Sequence, residues 1–285
     1  MDIDRRSVLR RAAQAATAGA AAALAAAGPP RHRTSSAPAG PAAAAAEAPA
    51  RPSAPPPPPE VVRRTAWQAV EPPSETQCDA VVRAVFVHHT DHPNGYGPQE
   101  VPEILRSIYQ DHRENLGWED IGYNFLVDRF GTIYEGRLGS TGRPVVGAHT
   151  MGFNRETAGI GVIGTFDAAT PVPAAVLDAT ARVAAWKLGT YGIDPRSRSE
   201  LTSNSSDSRF PAGTSHSFDA ISGHRDAFCT LCPGDSLYAA LPQIVDRAAR
   251  LLAGRPLDAP ADGTGTPLRP AFGRTDGPRR GSGLF

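Results

Sequence analysis

Twelve residues, Gly223 to Gly234, read GHRDAFCTLCPG and gather a histidine, a threonine and two of the chain's three cysteines. A second candidate group, His88–His89, closes the run VVRAVFVHHT. Zinc prefers imidazole and thiolate ligands, and a catalytic zinc takes three protein ligands and leaves a fourth position for water. His88 or His89, His224 and Cys232 are the candidates for that tripod. Successive side chains of a strand face opposite sides, so one of the two adjacent histidines reaches a given cleft. His224 and Cys232 stand eight residues apart in a stretch rich in turn formers, long enough to fold back on one ion. An ion held this way polarises a carbonyl and activates water, which is hydrolytic chemistry. The alternative for the same residues is a metal-free hydrolase with Cys232 as nucleophile and a histidine as its base.

These side chains need a scaffold, and the hydrophobic pattern supplies one. Residues 81–90 read as a buried strand, a β-branched and aromatic run closed by polar residues. Residues 100–115 predict a helix with Ile104, Leu105, Ile108 and Tyr109 on one face and Pro102 in the first turn. IGYNFLVD and TIYEGR flank RFG as a β-hairpin, which puts Tyr123 on one face with Ile121, Phe125 and Val127. VVGAHT and AGIGVIGTF read as two more strands. Residues 173–192 predict a helix ended by Gly192. Residues 235–254 predict a last helix with Asp235 as N-cap, bent or restarted at Pro242. The stretch before it, from about 193 to 223, reads as loop. The order implies an α/β fold, a mixed central β-sheet flanked by about three helices. His112 reads as a satisfied core histidine, and His32, His92 and His216 as loop residues.

Four stretches, FVHHT, GWEDIGYNFLVDRFGTIYEGR, GAHTMGFNRETAGIGVIGTF and GHRDAFCTLCPG, resemble the peptidoglycan recognition protein family, the type 2 N-acetylmuramoyl-L-alanine amidases. RRTAWQA at 63–69 resembles that family's opening, and the match runs over about residues 61–250. The chain as a whole looks like a secreted actinobacterial member. The resemblance implies a single zinc-amidase domain that cleaves the amide between N-acetylmuramic acid and L-alanine in peptidoglycan. It makes His88, His224 and Cys232 the Zn²⁺ ligands. It makes Tyr123 the catalytic tyrosine and Thr230 its companion. The sequence places no Glu base, which leaves His89 as a candidate proton acceptor at the substrate. Gly117, Trp118 and Arg137 match positions that accompany diaminopimelate-type stems, whose extra carboxylate a guanidinium grips through two parallel hydrogen bonds. His149 and Asn154 match ligand-groove positions. A non-catalytic peptidoglycan-binding module is the rival the family itself offers; retention of all three ligands argues for the enzyme.

If Cys232 binds zinc, Cys78 and Cys229 are left over. Parity suggests a Cys78–Cys229 disulfide pinning the 224–232 loop to the His88 strand, with two free thiols as the alternative. Three cysteines are too few for a disulfide scaffold.

With 29 basic and 29 acidic residues among 285, the chain has no global field to attract nucleic acid or an acidic membrane. Residues 1–33 have a basic start, Arg5–Arg6 and an alanine-rich run, the layout of a twin-arginine-type export signal. That run is too short and weakly apolar for a membrane span, so integral membrane association is not expected. Residues 34–60 form an Ala/Pro-rich linker, an extended spacer. Residues 61–254 read as one domain, which the resemblance makes the peptidoglycan recognition and amidase domain, and 255–285 as a disordered Gly/Pro/Arg-rich tail. The expected partner is peptidoglycan, met outside the cell or at the wall by a monomer.

Overall fold

Strand β1, Ala84–His89, is buried along nearly its whole length, and the sheet is built around it. The computed structural model describes residues 55–72 and 75–257. The expected signal, most of the expected linker and nearly all of the expected tail lie outside the described residues. Five strands line up as β3-β2-β4-β1-β7. They are β2 (Phe125–Val127), β3 (Ile133–Glu135), β4 (Thr157–Val162) and β7 (Ile221–Gly223) beside β1. β1 runs parallel to β4 and β7, β4 parallel to β2, and β2 antiparallel to β3. The sheet is mixed, as the pattern implied.

Period-2 alternation assigns its two faces. Val85, Val87, Phe125, Val127, Ile160 and Val162 join one core with helices α2 (Ala174–Thr190) and α5 (Leu241–Leu252). Ala84 and Phe86 face the other way, against Phe153, Leu201 and Phe218. On that same side α1 (Val101–Gln110) packs with Trp67, Ile121 and Leu126. Two one-turn helices, α3 (His224–Ala227) and α4 (Asp235–Ala239), stand between β7 and α5.

Several elements depart from the sequence reading. α1 gives way to a π-helical turn over Asp111–Asn115. The last helix does restart at Pro242 as expected: α4 gives way to α5 with Pro242 in its first turn, where a missing N–H costs nothing. Gly234 occupies the N-cap position and Asp235 begins the helix. VVGAHT is not a strand. Its amides pair with scattered carbonyls, Val146 N–H with Gln77 and Ala148 N–H with Gly122, so it winds as a loop over the sheet. The expected loop before the final motif contains a separate hairpin, β5 (Arg198–Thr202) and β6 (Ser215–Asp219). Its inward positions are Ser199, Leu201 and Phe218. So few apolar residues among serines and threonines hide the alternation. The last residues of the expected linker, 55–60, include Pro56–Pro59, which lie beside Arg182 and Leu251 of the α2–α5 layer and Arg255 just after it.

The opening motif anchors the domain. Trp67 is fully buried and donates its indole N–H to the Glu135 carbonyl. Arg64 forms a buried ion pair with Asp120 at 3.0 Å and also bonds the Gly136 carbonyl. Asp120 accepts the Ile121 and Leu138 amides at 2.8 Å each. The segment that leads into Tyr123 is thereby tied to the one that leads to Arg137.

Candidate metal centre and active site

His88 lies near the carboxyl end of β1 on the face of Phe86, and His89 on the opposite face, as the register shows. β7 ends at Gly223 beside Val87 and hands directly into α3, so His224 emerges next to His88. The rings of His88 and His224 are 4.5 Å apart. The Asp226 carboxylate accepts the Gly223 amide at 2.8 Å and fixes this start. Arg225 closes the loop behind it. Its backbone N–H bonds the Cys232 carbonyl at 3.0 Å, and its guanidinium bonds the Leu231 carbonyl and Asp235. Cys232 is thereby returned to the histidines, and its sulfur accepts the His89 amide at 3.4 Å.

The ligand atoms of His88, His224 and Cys232 all lie within 4.8 Å of one another. Of the two adjacent histidines, the structure brings His88 to the loop. Burial holds His88 well below the ordinary imidazole pKa, with His224 and His149 adding to the effect. Burial also pushes His224 down to about 4. Both rings are neutral at pH 7, the form that offers a lone pair to a metal. Burial pushes the Cys232 thiol up to about 12 in the absence of a cation. A thiolate in this dry site therefore requires a positive partner. Two neutral nitrogens and one sulfur make a borderline-soft donor set of the kind that zinc takes. The residues fit the ion.

Tyr123 stands beside this cluster, its ring 5.4 Å from that of His88 and its hydroxyl 3.4 Å from the His89 carbonyl. Burial pushes its pKa up, so the hydroxyl stays protonated. The expected alternation with Phe125 and Val127 breaks at Asn124, because β2 begins only at Phe125. Tyr123 instead lies over Gly161, while Phe125 and Val127 face α2. Asn124 secures the break. Its side chain bonds Ser140, the Val145 carbonyl and the Gly159 amide. Gly159 and Gly161 carry a signal that sequence reasoning passed over. They alternate in AGIGV on the His88 face, and an added Cβ would lie 2.3 Å from the His149 ring at 159 and 2.9 Å from the Tyr123 ring at 161. Two glycines at period 2 leave the space in which two aromatic rings sit.

A family model described as N-acetylmuramoyl-L-alanine amidase matches residues 78–235, more than half of the chain. The chain belongs to that family. This family member is 31% identical to peptidoglycan recognition protein 1 of Mus musculus over 182 residues, 64% of this chain and 85% of the mouse protein. It is 33% identical to an N-acetylmuramoyl-L-alanine amidase of Homo sapiens over 159 residues, 55% of this chain but 23% of the human protein. Among solved structures, peptidoglycan recognition protein LE, in complex with tracheal cytotoxin, matches with a TM-score of 0.51 at 28% identity. That match covers 64% of this chain and 92% of the other.

The other expected site residues of this family member fall into two groups. Thr230 is half-buried beside the cluster, and its hydroxyl oxygen accepts the Cys232 amide at 3.1 Å. Trp118 is half-exposed with its ring 4.8 Å from His112, after an exposed Gly117 in left-handed backbone. Arg137 lines a hollow of about 190 Å³ with Glu119 and Asp120, and donates to the Ile121 and Val146 carbonyls. His112 accepts the Gly122 amide at 2.9 Å and is the satisfied core histidine expected. Three expectations change. His149 is not presented to a groove: it is buried against His88, where Gly159 leaves it room. Asn154 spends its side-chain oxygen on the His149 and Thr150 amides at 2.8 Å each, shaping the turn. The His89 ring faces away from the cleft with a buried, unpartnered Nδ1, so strand alternation removes it as a proton acceptor at the substrate.

The Cys78–Cys229 bridge is absent. Cys78 is half-buried, Cys229 is exposed, and both thiols are free. Cys78 pairs with Val145 near the amino end of β1, whereas Cys229 follows α3 beyond the carboxyl end. A six-residue strand such as β1 spans about 17 Å, and a disulfide requires Cα atoms within about 7 Å.

Proposed function

We propose that this chain hydrolyses the amide between the lactyl group of N-acetylmuramic acid and L-alanine in peptidoglycan, using Zn²⁺ held by His88, His224 and Cys232. The observation that carries the reading is the convergence of these three ligand atoms within 4.8 Å, with the Tyr123 hydroxyl alongside. Zinc bound there supplies Lewis acidity toward the amide carbonyl and toward water. The chain's own groups do the rest. Tyr123, kept protonated by burial, donates to the oxyanion that develops as the carbonyl is attacked. Thr230 accepts from the Cys232 amide, which leaves its hydroxyl proton available to the same oxyanion. Donors of this kind are each worth about 10²–10³ in rate.

The metal-free alternative is disfavoured by the burial of the same residues. A Cys232 thiol pushed up to about 12 supplies almost no thiolate at pH 7, and neither ligand histidine is basic enough to take its proton. Arg137 supports a diaminopimelate-type stem as substrate. Only one proton of its Nη groups is spent on a carbonyl, so the Nη1–Nη2 edge keeps donors for a carboxylate. The relative in complex with a diaminopimelic acid-type fragment supports the same substrate class. The basic start and alanine-rich run of residues 1–33 support export to the wall. Among the described residues no helix is long and apolar enough to cross a membrane.

The test is digestion of purified diaminopimelate-type wall with mass spectrometry of the released material, with and without a chelator. Free stem peptides and intact sugar strands, lost on chelation and restored by Zn²⁺, are expected. Binding to wall without release of stem peptides identifies a binding module instead. Release that ignores chelators and stops on alkylation identifies a cysteine hydrolase.

A further inference from the structure

The hydrogen bonds behind His88 have a direction that can be read atom by atom. The Thr157 hydroxyl lies 2.6 Å from the Phe153 carbonyl, which only accepts, so Thr157 donates there. Its single proton is then spent, and it accepts from His149 Nε2 at 3.4 Å. His149 Nδ1 is therefore the bare nitrogen. It lies 3.2 Å from His88 Nε2 and 2.9 Å from the Thr150 hydroxyl. The Thr150 hydroxyl also lies 3.4 Å from His88 Nε2, but its one proton goes to the nearer His149 Nδ1, so it can only accept from His88. His88 Nε2 must then carry the proton, because a bare nitrogen there would face only acceptors. That leaves His88 Nδ1 bare, and Nδ1 is the atom 3.8 Å from the Cys232 sulfur.

We propose that His149 is a positioning residue that fixes the tautomer of His88 and so selects Nδ1 as its metal-binding atom. The residue is held for that task. Asn154 pins the His149 and Thr150 amides, and the bare Cα of Gly159 admits the ring. Hydrogen bonds to the far nitrogen of a ligand histidine commonly set its orientation and basicity. The consequence for metal affinity rests on the zinc reading above; the tautomer itself does not.

The experiment uses the full chain with ¹⁵N-labelled histidine. Long-range ¹H–¹⁵N spectra of the metal-free protein report the His88 tautomer, and competition with a chromophoric chelator reports Zn²⁺ affinity. Wild type is expected to hold the proton on Nε2. His149→Phe keeps the ring but removes the acceptor. It is expected to mix the tautomers and weaken Zn²⁺ binding by about 10–100-fold. His149→Asn, whose amide oxygen falls near the lost Nδ1, is expected to recover most of both. A wild-type His88 protonated on Nδ1 overturns the inference, as does a His149→Phe chain with unchanged tautomer and unchanged affinity. A wild-type chain that binds no Zn²⁺ sinks the zinc reading alone, and the spectra still decide the tautomer. Should His149→Phe fail to fold, wild type and His149→Asn decide.

Discussion

Gly161→Ala tests whether the tyrosine acts through its position. The added Cβ would lie 2.9 Å from Cδ2 and 3.0 Å from Cγ of Tyr123. Carbon atoms pack comfortably at about 3.5–4.0 Å, so the ring has to retreat by roughly 0.5–1 Å. Overpacking of that size costs about 1–3 kcal/mol of stability, which a folded domain survives. The catalytic cost is larger in relative terms, because a misplacement of about 1 Å in a reacting group costs up to about 10²-fold. We expect kcat on a soluble muramyl peptide to fall about 10–100-fold with Zn²⁺ affinity unchanged. Tyr123→Phe sets the ceiling, at about 10²–10³-fold. Gly142→Ala is the control, since an added Cβ there meets nothing within 4 Å. Turnover of Gly161→Ala at the wild-type rate refutes the assignment of Tyr123. A parallel fall in Zn²⁺ affinity would show that the methyl disturbs His88 and not the tyrosine.

Three further outcomes follow from the packing. Arg64→Met leaves the Asp120 carboxylate buried without its cation, and thermal or urea unfolding should show a loss of about 3–5 kcal/mol; a loss under 1 kcal/mol would mean the pair is solvated. Lys187 is pushed down to about 8 by burial, against 10.5 for an ordinary lysine. Between those pH values the unfolded chain holds a proton that the folded chain has released, so stability rises with pH across that window. The gain is about 3 kcal/mol, read as the change in wild-type stability from pH 8 to 10.5 minus that of Lys187→Met, and a flat difference refutes it. Arg137→Ala should lower kcat/KM for diaminopimelate-type fragments by about 10-fold or more while sparing lysine-type ones, since a charge-assisted pair to a carboxylate is lost; equal losses on both would make Arg137 a scaffold residue.

Much of the site was legible before folding because its chemistry is local. Cys232 and His224 share one short loop, Tyr123 and Arg137 flank one hairpin, and the residue types make a donor set that suits a metal. The sheet itself followed from runs such as VVRAVFV, whose burial on both faces leaves little choice. The β5–β6 hairpin was not legible, because its strands bury so few apolar side chains that the alternation carries no signal. Arg225 was not legible either: its clamp on the Leu231 and Cys232 carbonyls depends on a turn that the sequence only permits.

The sequence by itself determined which residue types stand ready for hydrolysis and that His88 and His89 cannot share a face. The tertiary structure decided which of the two meets the loop. It moved His149 from the groove to the back of His88, broke the alternation at Asn124, between Tyr123 and Phe125, and kept Cys78 and Cys229 at opposite ends of β1. The physical reason is common to all four. Periodicity fixes how neighbouring side chains point relative to one another, whereas the partner that a face meets is set by strand order and loop path, through contacts between residues far apart in the chain.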